Sequence, residues 1–363
     1  MFRNSVKKLL FSATTLVAVI SLVLAGCSDD NDSGSASSAE KPLIVVTTNI
    51  LSDVVKNMVG DSFDVETIMP PGADPHDFQA SARQVQTMME ADLLVVNGAN
   101  FEEGMLDVIE NAESDGVMIF EAMSVVSQLE GSDDHGDHEG HDDHDDHEGH
   151  DDHDDHEGHD DHEGHDDHDD HEGHDEHDDH EGHDHGGIDP HFFTDPARMA
   201  VVAQELSEFL VVNFPDADQG FVSVANDYIQ QLRDLDSEVE ETLSVISSDA
   251  RVLVTNHAVF AYFADRYSFT VLGEIIPSSS TLAGASAQQL ASLAEEIKEN
   301  QVKAIFADAS SSDALAQTLA NEVDGVEVVN LYTESLGDPG SSGDSYIDMV
   351  LFNAQAIASA LVE

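Results

Sequence analysis

The sequence contains no tryptophan, a single cysteine, Cys27, and only 12 lysine and arginine residues in 363. One cysteine excludes a disulfide bond within the chain. The few basic residues stand against 76 aspartate and glutamate residues, so the formal net charge is -64. A strongly acidic surface repels nucleic acid and anionic ligands and attracts cations. We therefore expect no nucleic-acid partner, and the composition favours a cationic ligand.

The N-terminal segment carries an apolar run over residues 9–24, preceded by basic residues and ending in Leu24-Ala25-Gly26-Cys27. This pattern resembles the lipobox of bacterial lipoproteins. The resemblance implies removal of residues 1–26 as a lipoprotein signal peptide and a lipid on Cys27 that anchors the mature protein to the outer side of a membrane. A single signal-anchor helix is the alternative. Residues 27–40 contain no large apolar side chain, which predicts a flexible tether.

Two stretches of the chain alternate apolar runs rich in β-branched residues with helical patterns. The predicted strands are residues 43–48, 63–69, 92–98 and 117–120 in the first stretch and 251–256, 269–275, 302–308 and 326–332 in the second. This alternation predicts an α/β fold with parallel sheets. We expect two similar parallel-sheet α/β domains, the N-terminal one from residues 41–130 and 188–216 and the C-terminal one from residues 249–363.

A long linking helix is predicted between these domains. Apolar residues recur every three or four positions over residues 217–248, as they do on the buried face of a helix. A helix of about 30 residues is about 45 Å long, enough to connect the two domains. Upstream, Asp195-Pro196 predicts the start of another helix, because aspartate caps a helix N-terminus and proline fits its first turn.

Residues 131–187 form a tract made only of glycine, serine, aspartate, glutamate and histidine. A segment without apolar side chains builds no core, which predicts disorder. Imidazole favours zinc, copper or nickel over calcium or magnesium. We expect an accessory loop that collects metal, with a solvated acidic spacer as the alternative. The tract holds 28 of the acidic residues and 18 of the 21 histidines: His135, His138, His141, His144, His147, His150, His153, His156, His159, His162, His165, His168, His171, His174, His177, His180, His183 and His185.

Only three histidines lie outside the tract. His76 and His191 each follow an Asp-Pro pair, and His257 follows the apolar run RVLV. All three come near predicted strand ends or helix starts, where α/β proteins build their ligand sites. Three imidazoles need a fourth ligand if a metal site is to be closed rather than catalytic. Asp308 and Glu334 are both candidates, and the residues alone do not choose between them.

Four motifs occur in order around the tract: PPGADPHDFQAS, DPHFFTDP, NHAVFAYFADRY and LYTESLGDPGSSGDSYIDM. Together they resemble the metal-binding solute-binding lipoproteins of zinc and manganese ABC importers. The resemblance implies metal ligands at His76, His191 and His257, in the cleft between the two domains. It also implies a fourth ligand at Glu334, at a position where the manganese-type and mixed members of the family usually have Asp.

Asp308 matches an acidic position beside the family's metal site. We expect it to orient a histidine through the ring nitrogen that faces away from the metal. Asp74 and Asp189 are further candidates for this supporting role.

The same resemblance implies a receptor that captures and delivers a metal, not an enzyme. It implies a membrane permease and a separate ATPase as partners, because the sequence has no GxxxxGK[ST] phosphate loop. We expect a monomer located outside the cytoplasm and anchored through Cys27. Since imidazole must be neutral to bind metal, we expect binding to weaken as the pH falls through about 6.5.

Zn²⁺ is the expected transported ligand. Manganese-type relatives typically have glutamate at the position of His257, and three nitrogen donors with one carboxylate suit zinc better than manganese. Mn²⁺ is the alternative within the same class. Rival functions are a zinc-storage or adhesin lipoprotein, in which the tract would be primary, and a zinc hydrolase, whose usual HExxH motif is absent.

Overall fold

Strands and helices alternate through both halves of the chain in a computed structural model, which describes residues 41–131, 187–323 and 325–362. The predicted signal peptide, the tether with Cys27, and the tract histidines lie outside these residues. Within the described residues no helix has both the length and the apolar composition that crossing a membrane requires.

The first half contains four strands and three helices before the tract. They are β1 (Leu43–Val46), α1 (Asn49–Val59), β2 (Asp64–Thr67), α2 (Ala82–Met89), β3 (Leu93–Val96), α3 (Leu106–Ser114) and β4 (Met118–Glu121). Two longer helices follow the tract: α4 (Pro196–Asn213) and α5 (Phe221–Leu243). The second half contains β5 (Val252–His257), α6 (Ala261–Tyr267), β6 (Thr270–Ile276), α7 (Ala287–Asn300), β7 (Ala304–Asp308), α8 (Ala314–Glu322), β8 (Glu327–Leu331) and α9 (Tyr346–Leu361).

The two halves repeat one sheet topology. The strand orders are β2-β1-β3-β4 and β6-β5-β7-β8, and every pair of neighbours is parallel. Three of the four inner strands, β1, β3 and β7, are almost entirely buried, which explains why they occur as short, uninterrupted apolar runs. The predicted fold class, two similar parallel-sheet α/β units, is confirmed.

Helices α3 and α6 are not among the predicted elements. Helix α3 connects β3 to the parallel strand β4, and α6 connects β5 to β6 in the same way. Such connections are required because two parallel neighbours cannot be joined by a tight turn. Helix α3 buries only Ala112, so its apolar periodicity is weak.

The linking helix α5 is shorter than the sequence predicts. It has 23 residues, about 34 Å at 1.5 Å per residue, because a turn at Asp218–Gly220 precedes it and Arg251 closes its end. The Asp218 side chain accepts a hydrogen bond from the Gly220 backbone, and the Arg251 guanidinium donates to the Leu243 and Ile246 carbonyl oxygens. The predicted helix start at Pro196 is confirmed, with Asp195 as its cap.

Helix α5 packs against α1, α4 and α9. As a result, one continuous apolar core includes residues of both halves, from Ile44 on β1 to Leu361 on α9. The carboxyl edges of both sheets carry the loops in which the candidate ligands lie.

Candidate metal centre

The two Asp-Pro-His motifs form the same local turn. In the first, the Asp74 carboxylate accepts a hydrogen bond from the His76 backbone N–H at 2.9 Å. In the second, the Asp189 carboxylate accepts from the His191 backbone N–H at 2.8 Å. An aspartate that caps the amide two residues later fixes a tight turn, and the intervening proline removes backbone freedom. Each motif therefore holds its histidine in a defined direction.

His257 and Glu334 come from the second half. His257 is the last residue of β5, and Glu334 lies in the loop between β8 and α9. Since β5 and β8 are parallel strands of one sheet, both residues lie at its carboxyl edge. The sheet therefore brings His257 and Glu334 close together although they are far apart in the sequence.

The four side chains converge on one point. The Nε2 atoms of His76, His191 and His257 lie 3.3, 3.0 and 2.8 Å from the same oxygen, Oε1 of Glu334. One candidate ligand atom from each residue lies within 4.8 Å of all the others. Ligand atoms around one tetrahedral zinc ion, at about 2.0 Å from it, are about 3.3 Å apart. The centre therefore offers three imidazoles and a carboxylate at the spacing that one small divalent cation requires.

Water has little access to this centre. His191 and His257 are 0% exposed, His76 2% and Glu334 3%. The Phe101 ring packs edge-on against the rings of His76 and His191, with centroid distances of 5.1 and 5.4 Å. The apolar wall strengthens electrostatic interactions within the centre, because it lowers the local dielectric constant.

Without a metal ion, the charges of the centre shift its protonation. Burial disfavours the charged forms, but the Glu334 charge and the hydrogen bonds to Glu334 and Glu103 outweigh it and raise the pKa of His76 to about 10. Burial, Asp189 and Glu334 act in the same way on His191, whose pKa is also raised. Burial opposes ionisation of Glu334, yet the surrounding histidines hold the pKa of this carboxyl well below its usual range. The metal-free centre is therefore an internal ion cluster.

Two of the three histidines are oriented by carboxylates. Nδ1 of His191 lies 2.7 Å from Oδ1 of Asp189, and Nδ1 of His76 lies 2.9 Å from Oε1 of Glu103. A carboxylate accepts the Nδ1 proton, so once Nε2 has lost its own proton its lone pair points into the centre. In contrast, Nδ1 of His257 is buried and has no hydrogen-bond partner among the described residues.

Asp308, the last residue of β7, lies beside the centre. Its carboxylate accepts hydrogen bonds from the Ser310 backbone and hydroxyl and from the Thr333 hydroxyl, not from a histidine ring. Its position at the end of β7 brings it near Glu334 without making it part of the four-residue group. Asp308 thus holds the residue that precedes Glu334. Asp189 contacts the ring of His191, whereas Asp74 accepts hydrogen bonds from the His76 backbone and the Thr281 hydroxyl.

Glu103 is the residue that sequence reasoning missed. It lies in the loop after β3, and Gly104 permits that loop to approach the loop of His76: a Cβ on Gly104 would lie 2.3 Å from the Phe78 carbonyl oxygen. The neighbouring Glu102 is buried and accepts hydrogen bonds from Thr47 and the Asn97 backbone. The sequence shows Glu102 and Glu103 just beyond a buried strand, but it does not indicate which of the two side chains faces the site.

A cavity of about 410 Å³ reaches the His76 side of the centre. Glu103 lines it from the first half, and Ser278 and Ser280 line it from the second. Gly187, the last residue of the tract, lines the same cavity. The backbone N–H of Gly131 donates to the Gly187 carbonyl oxygen at 2.8 Å. The tract therefore leaves and rejoins the fold beside this opening.

Comparison with known proteins identifies the class of this site. The family described as "ZnuA: Zinc-uptake complex component A periplasmic" matches residues 44–360. The chain is 25% identical over 364 residues to the metal ABC transporter substrate-binding lipoprotein SsaB of Streptococcus sanguinis, covering 98% of this chain and 100% of that protein. It is 24% identical over 357 residues to the manganese ABC transporter substrate-binding lipoprotein PsaA of Streptococcus anginosus, covering 96% and 98%.

A solved structure shows the same fold. The periplasmic zinc binding protein TroA from Treponema pallidum is similar with a TM-score of 0.68 and 24% identity, covering 89% of this chain and 100% of that chain.

The family match extends across both halves and all four candidate ligands. It confirms the resemblance predicted from the motifs and the prediction that the protein is a receptor and not an enzyme. It also agrees with the predicted location, because the curated relatives are named lipoproteins of ABC transporters. The chain belongs to the periplasmic zinc-uptake complex component A family and is an extracytoplasmic metal-binding receptor of an ABC importer.

Proposed function

We propose that the protein captures Zn²⁺ through His76, His191, His257 and Glu334 and delivers it to an ABC importer. The observation that supports this most is the convergence of three Nε2 atoms on one carboxylate oxygen, at 2.8 to 3.3 Å, in a buried centre. Three imidazoles and a carboxylate would complete a tetrahedral zinc site, so capture rather than hydrolysis is the expected activity.

The donor set favours zinc over manganese. Imidazole nitrogen is a good ligand for zinc, whereas manganese prefers a larger share of oxygen ligands. Mn²⁺ is the second candidate, because one of the relatives above is named for manganese. Glu334 offers a second carboxylate oxygen, which would raise the oxygen count if both oxygens bound one ion.

Delivery requires partners that the chain does not supply. We infer that a membrane permease and a separate ATPase receive the metal and provide the energy, that the receptor acts as a monomer, and that the lipid is attached at Cys27. The tract is proposed to collect metal beside the cavity at Gly187. A storage or adhesin role would instead make the tract the main binding site.

Competitive titration of the mature chain against a chromogenic chelator tests the proposal. We expect one zinc equivalent that resists the chelator, and manganese binding that is weaker by at least about 1,000-fold. His257→Ala should weaken the tight zinc equivalent by about 100-fold or more, because a ligand is lost. The matched control His159→Ala, which removes one imidazole from the tract, should leave it unchanged. Binding of manganese within about tenfold of zinc would overturn the assignment of the metal.

A further inference from the structure

The loop that carries Glu334 is fixed from both halves of the molecule, and we propose that Asn49 is the residue that positions Glu334 at the metal. This inference rests on the proposed metal centre and deepens it. Asn49 is the first residue of α1 and is 7% exposed. It contacts none of the four candidate ligands through a hydrogen bond among the described residues.

The Asn49 amide joins the Glu334 loop to the His76 loop. Its Nδ2 donates to the Ser335 hydroxyl at 2.8 Å and to the Pro70 carbonyl oxygen at 2.9 Å. Its Oδ1 accepts from the Leu336 backbone N–H at 2.8 Å. Nδ2 and Oδ1 are therefore both engaged, across sequence separations of 21, 286 and 287 residues.

The Ser335 hydroxyl completes the connection. It accepts a further hydrogen bond from the Gly72 backbone N–H at 2.7 Å. Gly72 lies four residues before His76, and Ser335 directly follows Glu334. The backbones on which these two ligands are carried are thus held together by one buried asparagine and one buried serine.

The other side of the Glu334 loop is fixed within the second half. The Asn353 side chain on α9 accepts from the Tyr332 backbone N–H at 3.0 Å and donates to the Tyr332 carbonyl oxygen at 2.6 Å. The Thr333 hydroxyl donates to Asp308. The backbone on each side of Glu334 is consequently held, by Asn353 and Asp308 before it and by Asn49 after it. Of these three, Asn49 is the one that belongs to the first half.

Because the backbone of the Glu334 loop is fixed, the length of the Glu334 side chain determines whether its carboxylate reaches the three Nε2 atoms. The carboxylate meets three Nε2 atoms only because the fixed loop and the glutamate side chain together span the distance to them. If Asn49 releases the loop, the Glu334 carboxylate loses its defined position. The ring of His76 remains held through Glu103, although its loop loses the contact at Pro70. Asn49 would then affect metal binding chiefly through Glu334.

A double-mutant cycle tests this statement on the mature chain. The zinc dissociation constant is measured by chelator competition for wild type, Asn49→Ala, Glu334→Ala and the double variant. We expect Asn49→Ala to weaken zinc binding about 10- to 100-fold in the wild-type background, the usual effect of losing an outer support of a metal ligand. In the Glu334→Ala background the same substitution should change affinity by less than about twofold, because its effect acts through Glu334.

Two further variants control for folding. Asn57→Ala removes an exposed asparagine of the same helix, whose side chain donates to Asp53 and not to the Glu334 loop, and should leave affinity unchanged. Ser335→Ala removes the hydroxyl that Asn49 and Gly72 share and should weaken binding in the same direction if Asn49→Ala does not fold. The visible absorption spectrum of the Co²⁺ form should shift in Asn49→Ala towards that of Glu334→Ala.

An equal loss of zinc affinity in both backgrounds would overturn the positioning role, because Asn49 would then act on the fold in general. An unchanged Co²⁺ spectrum in Asn49→Ala would contradict it as well. Absence of tight zinc binding by wild type is a different result: it would overturn the proposed function.

Discussion

The three histidines of the centre differ in what faces their Nδ1 atoms. Glu103 and Asp189 accept from His76 and His191, whereas Nδ1 of His257 has no hydrogen-bond partner among the described residues. Hydrogen bonding to a carboxylate fixes the tautomer and makes the opposite nitrogen a stronger metal donor. Both supported histidines lie in the first half, so this half provides the better-defined part of the site.

Glu103→Gln tests the carboxylate that sequence reasoning missed. The amide oxygen of glutamine can still accept the Nδ1 proton, but the negative charge is lost. We expect zinc affinity to fall by about tenfold, measured by chelator competition. The matched control is Glu113→Gln, an exposed residue of α3, which should have no effect. An unchanged affinity in Glu103→Gln would show that the Glu103 charge does not support His76.

The pH dependence of zinc binding should reflect the shifted pKa of His76. The sequence-based expectation of a midpoint near 6.5 used the pKa of free imidazole, whereas the pKa of His76 in the metal-free centre is about 10. Zinc requires an unprotonated Nε2, so binding displaces a proton and affinity falls as the pH drops below about 10. The protonation of His76 has the opposite effect on folding stability. The raised pKa of His76 stabilises the metal-free protein fully below pH 6.5, and this contribution is lost as the pH rises through about 10.

Calorimetry in two buffers of different ionisation enthalpy measures this proton. At about pH 8 an imidazole of unperturbed pKa is already neutral, so a proton released from the centre comes from a group with a raised pKa, and the variant without residues 132–186 serves as the control for the tract. We expect about one proton per zinc ion. Glu334→Gln should release fewer, because the charge that raises the pKa of His76 is removed. No proton release by wild type at this pH would contradict the internal ion cluster.

At the level of elements, the sequence predicted every strand, because a parallel strand buried on both faces is an apolar run that stands out from its surroundings. It did not predict α3, whose only buried residue is Ala112. Helix α6 is not predicted for another reason: it has seven residues, about two turns, too few for apolar residues to recur at helical spacing. The apolar periodicity also overestimates the length of α5, because the same spacing of apolar residues continues into the turns at both ends of the helix.

The three histidines of the candidate site could be predicted from the sequence, whereas Asn49 could not. His76, His191 and His257 stand out because every other histidine belongs to the tract. Asn49 could not be identified in this way, because an asparagine at a helix start suggests a cap. Its contacts with Ser335 and Leu336 span more than 280 residues, and only tertiary structure brings these residues together.

The end of the linking helix α5 depends on one arginine. Arg251 donates to the carbonyl oxygens of Leu243, Ile246 and Tyr267 at 3.1, 3.3 and 2.7 Å, and a positive charge at a helix C-terminus is favourable. Arg251→Ala should lower the free energy of unfolding by about 2 to 4 kcal/mol, measured by urea denaturation. Arg233→Ala, an exposed arginine on the same helix, should change it by less than about 0.5 kcal/mol. Equal effects would show that Arg251 does not hold the helix end.

At the level of the whole molecule, the tract is an insertion whose two ends already meet. The Gly131 backbone donates to Gly187, and Glu130 forms an antiparallel bridge with Ile188. Replacing residues 132–186 by a short turn such as Asn-Gly should therefore preserve the fold. We expect one tight zinc equivalent to remain and only the weaker equivalents to be lost in an equilibrium titration. Loss of the tight equivalent would favour the storage or adhesin alternative.

Repulsion among the acidic side chains should make the thermal stability of the protein depend on the salt concentration. Even outside the tract, acidic residues far outnumber basic ones, and the ion pairs of the described surface include few of them, such as Arg198 with Asp265. Raising the salt concentration from about 0.1 to 1 M shortens the screening length from about 10 to 3 Å. We expect the thermal unfolding midpoint to rise with KCl and not with sucrose of equal osmolality. A midpoint independent of KCl would contradict this.

The most direct test of the metal centre is an anomalous difference map, collected at the zinc absorption edge, from crystals of the zinc-loaded protein. We predict one strong peak among His76, His191, His257 and Glu334, at about 2.0 to 2.1 Å from three Nε2 atoms and a carboxylate oxygen. A peak bound by Asp308 in place of Glu334, or no peak between the two halves, would contradict it.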